Sequence, residues 1–438
     1  MKKILILSSL LLIIFTPYSY GRNLSFNEAI NMILTESNDL KKADANVKKV
    51  QAQLDAVKSK RWFHVEGSAT YINLINVKDP GNPNGVELPP ELGGLISSIS
   101  GTSSNIVIPD NLMLAGVTIT QPIYTFGKIG NAVNAMDSAV QMSISGKELV
   151  NREVRYGAAQ LYWTAKMAEE AVKIAEKSLN ASLTARKKLT SAGRASRSNL
   201  VKIEADIAVK EINLSDAKFN RDTAHRMLKI MAGIDVNEEL VLTDNFPSKF
   251  DELNVKTMNS NPEWDMLQHQ VQMSEQNASA KRAGYLPTLA ATASYNYVVS
   301  NEDYKLWNGN KAQNAYWGLS LSVPIFDAGL NRAQATVAAM DAEIAREDLD
   351  KSKKLKSEEY QIAVKKYEHL RTNLFDLEKA RNLAEKAYGY SRDRFAAGQT
   401  SAVELAEVSS ALSQADMAVL NAKYNLVISQ EQIKKLNK

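Results

Sequence analysis

The chain has 438 residues, 45% hydrophobic and 23% charged, with 53 Lys+Arg against 49 Asp+Glu for a net charge of +4. That near balance argues against a nucleic-acid binder, which carries a basic excess on one face. The absence of cysteine excludes disulfides, thiolate metal sites, iron–sulfur clusters and a cysteine nucleophile, and the four histidines (His64, His225, His269, His369) are too scattered to suggest a metal site.

In chain order, the first segment reads as an address. Met1-Lys2-Lys3 precedes an apolar run, Ile4–Phe15, broken only by Ser8 and Ser9, and small residues come next at Ser19 and Gly21. A charged start, a short apolar core and a small-x-small site describe a secretory signal peptide over 1–21. The apolar run falls short of the ~20 residues of a membrane-spanning helix. No cysteine stands after the cleavage site to carry a lipid anchor. The expectation is an exported protein without a helical membrane span.

Prolines divide the mature chain. They stand at 80, 83, 89, 90, 109, 122, 247, 262, 287 and 324, with none in 123–246 or 325–438. Proline inside a helix costs ~3 kcal/mol, so these long proline-free tracts, rich in Ala, Leu, Lys, Glu and Gln, predict helices. A helix over roughly 25–60 comes first. A strand near 62–76 alternates Phe63, Val65, Ala69 and Tyr71 with His64, Glu66, Ser68 and Thr70. A second, near 112–125, alternates Met113, Ala115, Val117 and Ile119 with Leu114, Gly116, Thr118 and Thr120. Period two with one apolar face means a strand with one wet side. A length of ~10 residues suits a tilted strand crossing a bilayer, although a sandwich strand has the same texture.

Lys128 to about Thr190 predicts a helix of ~95 Å. Its 3,4 spacing of Val154, Ala158, Leu161, Ala165, Ala168, Val172, Ala175 and Leu179 makes a coiled-coil seam. A turn at 191–196 leads to a helix over 199–231. Its seam is Leu200, Ile203, Ile207, Lys210, Leu214, Ala217, Arg221, Ala224, Leu228 and Met231.

The second half, 247–438, repeats the first, 22–246. A helix over 255–283 precedes strands near 287–300 and 315–326. A helix of ~100 Å runs from Asn331 to about Ala396, and a turn leads to a last helix over 401–436. Gln121-Pro122-Ile123 returns as Val323-Pro324-Ile325, 202 residues later, and Ser191–Ser196 returns as Ala396–Ser401, 205 later. The second offset carries the seam onto Leu405, Val408, Leu412, Ala415, Val419, Ala422, Leu426, Ser429, Ile433 and Leu436.

A signal peptide, two such repeats, strand pairs ending in Gln121-Pro122-Ile123 and Val323-Pro324-Ile325, and Ala-Gly helix turns resemble the TolC-type outer-membrane efflux proteins. The resemblance covers essentially the whole mature chain. It implies a mixed α+β membrane protein: a long antiparallel α-helical coiled-coil tube plus a transmembrane β-barrel. Each of three chains would give four strands to one twelve-stranded barrel. Strand pairing agrees with this, since open edges are not tolerated in lipid and closure pairs them.

The implied function is a trimeric channel in the bacterial outer membrane with its helical part in the periplasm. It would be the exit duct of a tripartite efflux or type I secretion system. Its partners would be a periplasmic adaptor (membrane fusion) protein, an inner-membrane transporter and outer-membrane lipid, with no nucleic acid, cofactor or enzymatic step. The alternatives are a soluble periplasmic coiled-coil adaptor, which needs no amphipathic strand pairs, and a secreted helical pore-forming protein, which does not predict the duplication.

The resemblance also places residues. Glu404 and Glu407, aligned from Gly398, match acidic rings that narrow the periplasmic end of the tube. Ser198 and Asn199 are their first-copy neighbours in that gate. Phe395 falls where an aromatic links neighbouring helices, and Thr400 where the best-known member has a gate arginine. The turns, Ala192, Gly193, Arg194 and Ser196 with Ala397, Gly398, Gln399 and Ser401, resemble tips that meet the adaptor. A second reading stands beside each of these. Ser401-x-x-Glu404 is also a capping box, and Ala-Gly-x-x-Ser is also ordinary helix-turn chemistry. Trp62, Trp307, Trp317, Tyr295 and Tyr297 are candidates for interfacial girdles.

Overall fold

Local sequence accounts for where each element starts and stops in the computed structural model, which describes residues 22–73, 111–191, 196–252, 258, 260–301 and 309–437. The signal segment, the proline-rich loop holding Pro80–Pro90, Trp307 and the turn residues Ala192, Gly193 and Arg194 lie outside them. The order is β1 (Arg22–Leu24), α1 (Phe26–Glu36), α2 (Asn38–Ser59), β2 (His64–Asn73), β3 (Asn111–Tyr124), α3 (Lys128–Ser191), α4 (Arg197–Ala232), β4 (Leu240–Leu242), α5 (Pro262–Arg282), β5 (Thr288–Asn301), β6 (Asn310–Ser322), α6 (Leu330–Ala396) and α7 (Ala402–Leu436). Helices α3 and α6 have 64 and 67 residues, hence about 96 and 100 Å.

Three boundaries differ from the periodicity. The helix expected over 25–60 is two, because Ser37 takes ψ 117 and ends α1 while its hydroxyl accepts the Leu40 amide at 3.3 Å and starts α2. The helix expected from 255 begins at Pro262, where Asn261 Oδ1 accepts the Glu263 amide at 2.8 Å. The strand expected over 315–326 runs Asn310–Ser322. Its last pair is Ser322 with Thr288, and Pro324 has no N–H to extend the ladder.

The chain forms two units. One comprises the described residues of 46–144 and 265–350 and holds a four-stranded antiparallel sheet, ordered β2-β3-β5-β6. Register sorts its faces. Val65 pairs with Ile119, Ile119 with Ala293 and Ala293 with Trp317, while Val117 pairs with Tyr295. One face therefore carries Val65, Val117, Ile119, Tyr295, Trp317 and Leu319, and the other Glu66, Thr70, Thr118, Thr120, Ser294 and Asn296. On the polar face the Thr118 and Ser294 hydroxyls lie 3.0 Å apart. Sorting is incomplete, since Leu112, Leu114 and Val298 fall among the hydroxyls. The apolar face is bare: Trp317 is 82% exposed, Leu319 66% and Val117 46%. Among the described residues, β2 and β6 each have a strand on one side only. In the same unit, Leu54 of α2 is buried against Val133 and Val140 of α3, and Arg346 of α6 pairs with Glu275 of α5 at 2.6 Å.

The strands of this unit enter their helices through a repeated strained turn. Phe126 and Gly127 have φ of 48° and 87°, and Ala328 and Gly329 have 52° and 87°. A left-handed alanine costs roughly 1–2 kcal/mol, and glycine returns part of that as unfolded-chain entropy. Ala328→Gly is expected to stabilise the protein by about 0.5 kcal/mol and Gly329→Ala to destabilise it by about 1 kcal/mol. Thermal melting of the two variants measures both signs.

The other unit comprises the described residues of 22–45, 145–264 and 351–437. Its short strands β1 and β4, which alternation alone did not reveal, pair in parallel, Arg22 with Leu240 through Leu24 with Leu242. Beneath them Leu24, Ile30, Ile33, Tyr162, Trp163, Leu228 and Val427 form a core. The Tyr162 hydroxyl donates to Leu24 O at 3.2 Å and lies 3.0 Å from Asp244 Oδ2. Burial pushes this phenol far up from its usual range. A second cluster gathers Tyr360, Tyr367, Leu374, Leu426, Ile433 and Leu436. Along α7 the seam is buried at Leu405, Leu412, Ala422, Leu426, Ser429, Ile433 and Leu436. On α4 it drifts: Met231 is 47% exposed and Ala232 is buried instead, since a straight helix gains ~20° per heptad on a 3.5 repeat.

Candidate functional site

The turn before α7 is built by its own backbone. The Gln399 amide donates to Arg394 O at 2.8 Å and the Gly398 amide to Phe395 O at 3.0 Å, with Gly398 at φ 78°. This double bond pattern closes a helix end and needs a residue without Cβ strain at the left-handed position. Ala397 precedes that glycine, its amide donating to Asp393 O at 3.1 Å. Ser401 then caps α7, its hydroxyl accepting the Glu404 amide at 3.1 Å.

The capping box expected from Ser401-x-x-Glu404 is seen only in its serine half. The Glu404 carboxylate accepts instead from the Thr400 hydroxyl, so Thr400, where the resemblance places a gate arginine, orients one of the two acids. Glu404 and Glu407 are both exposed and one turn apart, while Ala402, Leu405, Ser409 and Leu412 form the buried face of the same helix. Phe395 is turned inward, packed with Ala185, Ile203, Ile207, Ala402 and Leu405. In the first copy Ser196 caps α4, its hydroxyl accepting the Asn199 amide at 3.2 Å; Ser198 is exposed and Asn199 half-buried. The two copies thus place a serine cap at equivalent helix starts, but the acids belong to the second alone.

A polar cluster lies behind this helix start. Lys210, 5% exposed, sends its ammonium to Ser182 Oγ at 2.7 Å, Asp206 Oδ2 at 3.1 Å and Ser409 Oγ at 3.3 Å. Sequence reasoning placed Lys210 on the α4 seam without assigning it partners. A lysine at a core position of a coiled coil was the available signal. Farther along α7, Asp416 accepts from Arg381 of α6 at 2.8 Å and lies 3.4 Å from Lys177 of α3. Its carboxylate holds the Arg381 guanidinium above its usual range.

Similarity to known proteins has the same outline. The family model described as "Outer membrane efflux protein" matches residues 254–437. No curated protein matches the sequence. Among solved structures, the Campylobacter jejuni CmeC outer membrane channel is similar at 18% identity, over 94% of this chain and 85% of that one, with a TM-score of 0.76. The outer membrane protein VceC of Vibrio cholerae is similar at 16% identity, over 94% and 95%, with a TM-score of 0.73. The open state of the Neisseria gonorrhoeae MtrE outer membrane channel is similar at 16%, over 94% and 88%, with a TM-score of 0.72. At these identities the structures establish a shared fold.

Proposed function

We propose, from a second repeat that matches the outer membrane efflux protein family and a chain that shares the fold of outer membrane channels, that this protein is the exit duct of an efflux or secretion system. Three copies would close one barrel of twelve strands in the outer membrane. The observation that carries this reading is the sheet: four strands with one bare apolar face, one hydroxyl-rich face and, among the described residues, two open outer edges. An apolar face suits lipid, a polar face suits a wet lumen, and only closure satisfies the edges.

The helices support the same assembly. On α4, Val201, Ile212, Phe219 and Ile230 are exposed at spacings of 11, 7 and 11 residues, which keeps them on one stripe. On α6, Leu355, Ile362, Leu383 and Tyr390 are exposed at multiples of seven. A second copy of the chain is the occupant proposed for these faces, because the seven-residue spacing is that of a coiled-coil seam. Helix turns at 192–196 and 397–401 would meet a periplasmic adaptor linked to an inner-membrane transporter. Glu404 and Glu407 would ring the periplasmic entrance, with Ser198 and Asn199 beside it.

Membrane fractionation with native mass measurement is the test. An outer-membrane trimer is the expected result, and a soluble monomer in the periplasmic fraction would sink the reading.

A further inference from the structure

The four strands meet their helices at one end of the sheet, the end of His64, Tyr124, Thr288 and Ser322. That junction is strongly basic. Lys58, Lys60 and Arg61 precede β2, Lys128 follows β3, Lys281 and Arg282 precede β5, and Arg332 follows β6. All are exposed, and among the described residues none of their side chains has an ion pair or a hydrogen bond. Residues 58–63, 125–130, 281–287 and 323–332 contain one acid, Asp327. Its carboxylate is taken by the local backbone, accepting the Gly329 amide at 3.0 Å and the Asn331 amide at 2.9 Å. The other end has the opposite sign. The segments joining β2 to β3 (74–110) and β5 to β6 (302–309) hold Asp79, Glu87, Glu91, Asp110, Glu302 and Asp303 against Lys78 and Lys305.

Helix stability does not account for this basic collar. Lys58, Lys281 and Arg282 suit the last turns of α2 and α5, where the helix end is negative. Lys128 and Arg332 stand instead in the first turns of α3 and α6, which hold no acid, and a cation there meets the positive end of the helix. Unpaired charge in a place that repels it points to an anion from outside the chain.

Its position identifies that anion. Lys58 is followed by Trp62 and Phe63, and 223 residues later Lys281 is followed by Tyr285 and Leu286. These apolar side chains are exposed, as are Tyr124, Ile325 and Phe326, so bare apolar surface reaches the end of the sheet. Val117 is midway along β3 and Tyr124 ends it. The strand between them climbs about 18 Å along the membrane normal at a tilt of ~40°. Half of the apolar band is only about 12 Å, so the junction lies at the depth of the lipid headgroups.

We infer that the collar binds the phosphate groups of anionic phospholipids in the periplasmic leaflet of the outer membrane, with the aromatic side chains seated at the edge of the acyl chains. This rests on the exit-duct reading above, which puts the helices in the periplasm. Three copies of the chain close the collar into a ring. Sliding the barrel outward draws these cations into hydrocarbon, and sliding it inward parts them from phosphate, so the contact fixes the depth of the barrel.

The test is lipid binding to the full-length protein purified in detergent, read by native mass spectrometry with phosphatidylglycerol or phosphatidylcholine added. Each cation near an anionic surface is worth about fivefold in binding. The wild-type trimer should prefer phosphatidylglycerol about tenfold or more, and raising ammonium acetate from about 0.1 to about 0.5 M should remove most of that preference. Lys60→Gln, Arg61→Gln, Lys128→Gln and Arg332→Gln, combined, should abolish it. Lys353→Gln, Lys354→Gln, Lys365→Gln and Lys366→Gln remove the same charge from the body of α6 and should leave it intact. A preference lost in both variants, or kept in both, would overturn the collar, as would a wild-type preference indifferent to salt. Equal binding of the two lipids by a membrane-embedded trimer overturns the collar alone, whereas a wild-type protein that is a soluble monomer without detergent overturns the duct reading.

Discussion

Val117→Arg is expected to reduce assembled outer-membrane trimer by more than 90%, while Thr118→Arg, one residue away, leaves assembly intact. Val117 lies midway along β3, on the apolar face beside Tyr295, and Thr118 on the hydroxyl face beside Ser294. An arginine facing lipid near the bilayer midplane costs about 2–4 kcal/mol, and a closed trimer carries it three times. A tenfold loss in an equilibrium needs only about 1.4 kcal/mol, so even one copy is enough to deplete the assembly. On the wet face the same side chain stays hydrated, and the loss is one hydroxyl contact, worth about 1 kcal/mol. Heat-modifiable trimer bands on gels of membrane fractions measure both variants. Equal recovery of the two would mean that the apolar face does not meet lipid. Val117 is already half exposed in the single chain, so a sheet facing only water would accept either arginine.

The double variant Glu404→Ala with Glu407→Ala is expected to weaken divalent-cation block of the channel roughly 50-fold and to raise single-channel conductance. In a trimer the two positions supply six carboxylates. A divalent ion about 8 Å from one carboxylate in water gains about 1 kcal/mol, and physiological salt screens this to about 0.4 kcal/mol. Six such terms give about 2.4 kcal/mol, or roughly 50-fold in affinity. Conductance rises because like charges no longer hold blocking cations at a narrow place. Bilayer recordings with and without magnesium measure both effects. The competing role is local: Glu404 is a first-turn acid of α7 with Thr400 at its carboxylate, worth about 0.3–1 kcal/mol to the helix. A lower melting temperature with block and conductance unchanged would reduce the pair to that role.

The two copies also show where pattern reading stops. Gln121-Pro122-Ile123 and Val323-Pro324-Ile325 look alike in sequence, yet Pro122 lies within β3, opposite Ala290, while β6 has ended two residues before Pro324. The difference is in the partner strand: β5 still faces β3 at Pro122 and, across a register shift, at Tyr124 opposite Leu289, whereas β5 begins at Thr288, the partner of Ser322, and offers β6 nothing farther on. Likewise Ser401-x-x-Glu404 and Ser25-x-x-Glu28 are the same motif. Both halves of the box form at Ser25, whereas at Ser401 a threonine one residue earlier takes the carboxylate. Phe395 obeys the same logic. The residues that enclose it come from α3, α4 and α7, and Ala185, Ile203 and Ile207 among them are remote from it in the chain.

The sequence by itself determined the type of each long element, the lengths of α3 and α6 and the alternation of the four strands. These are periodic properties, written in each segment's own spacing of apolar residues, prolines and glycines. Tertiary structure alone decided the register that gathers odd-numbered strand residues on one bare face, the parallel pairing of β1 with β4, and the meeting of Lys210 with Ser182 and Ser409. Each of those depends on which distant segment arrives as a neighbour. A hydroxyl or an ammonium has many acceptable partners in sequence, and packing of the surrounding apolar side chains selects one.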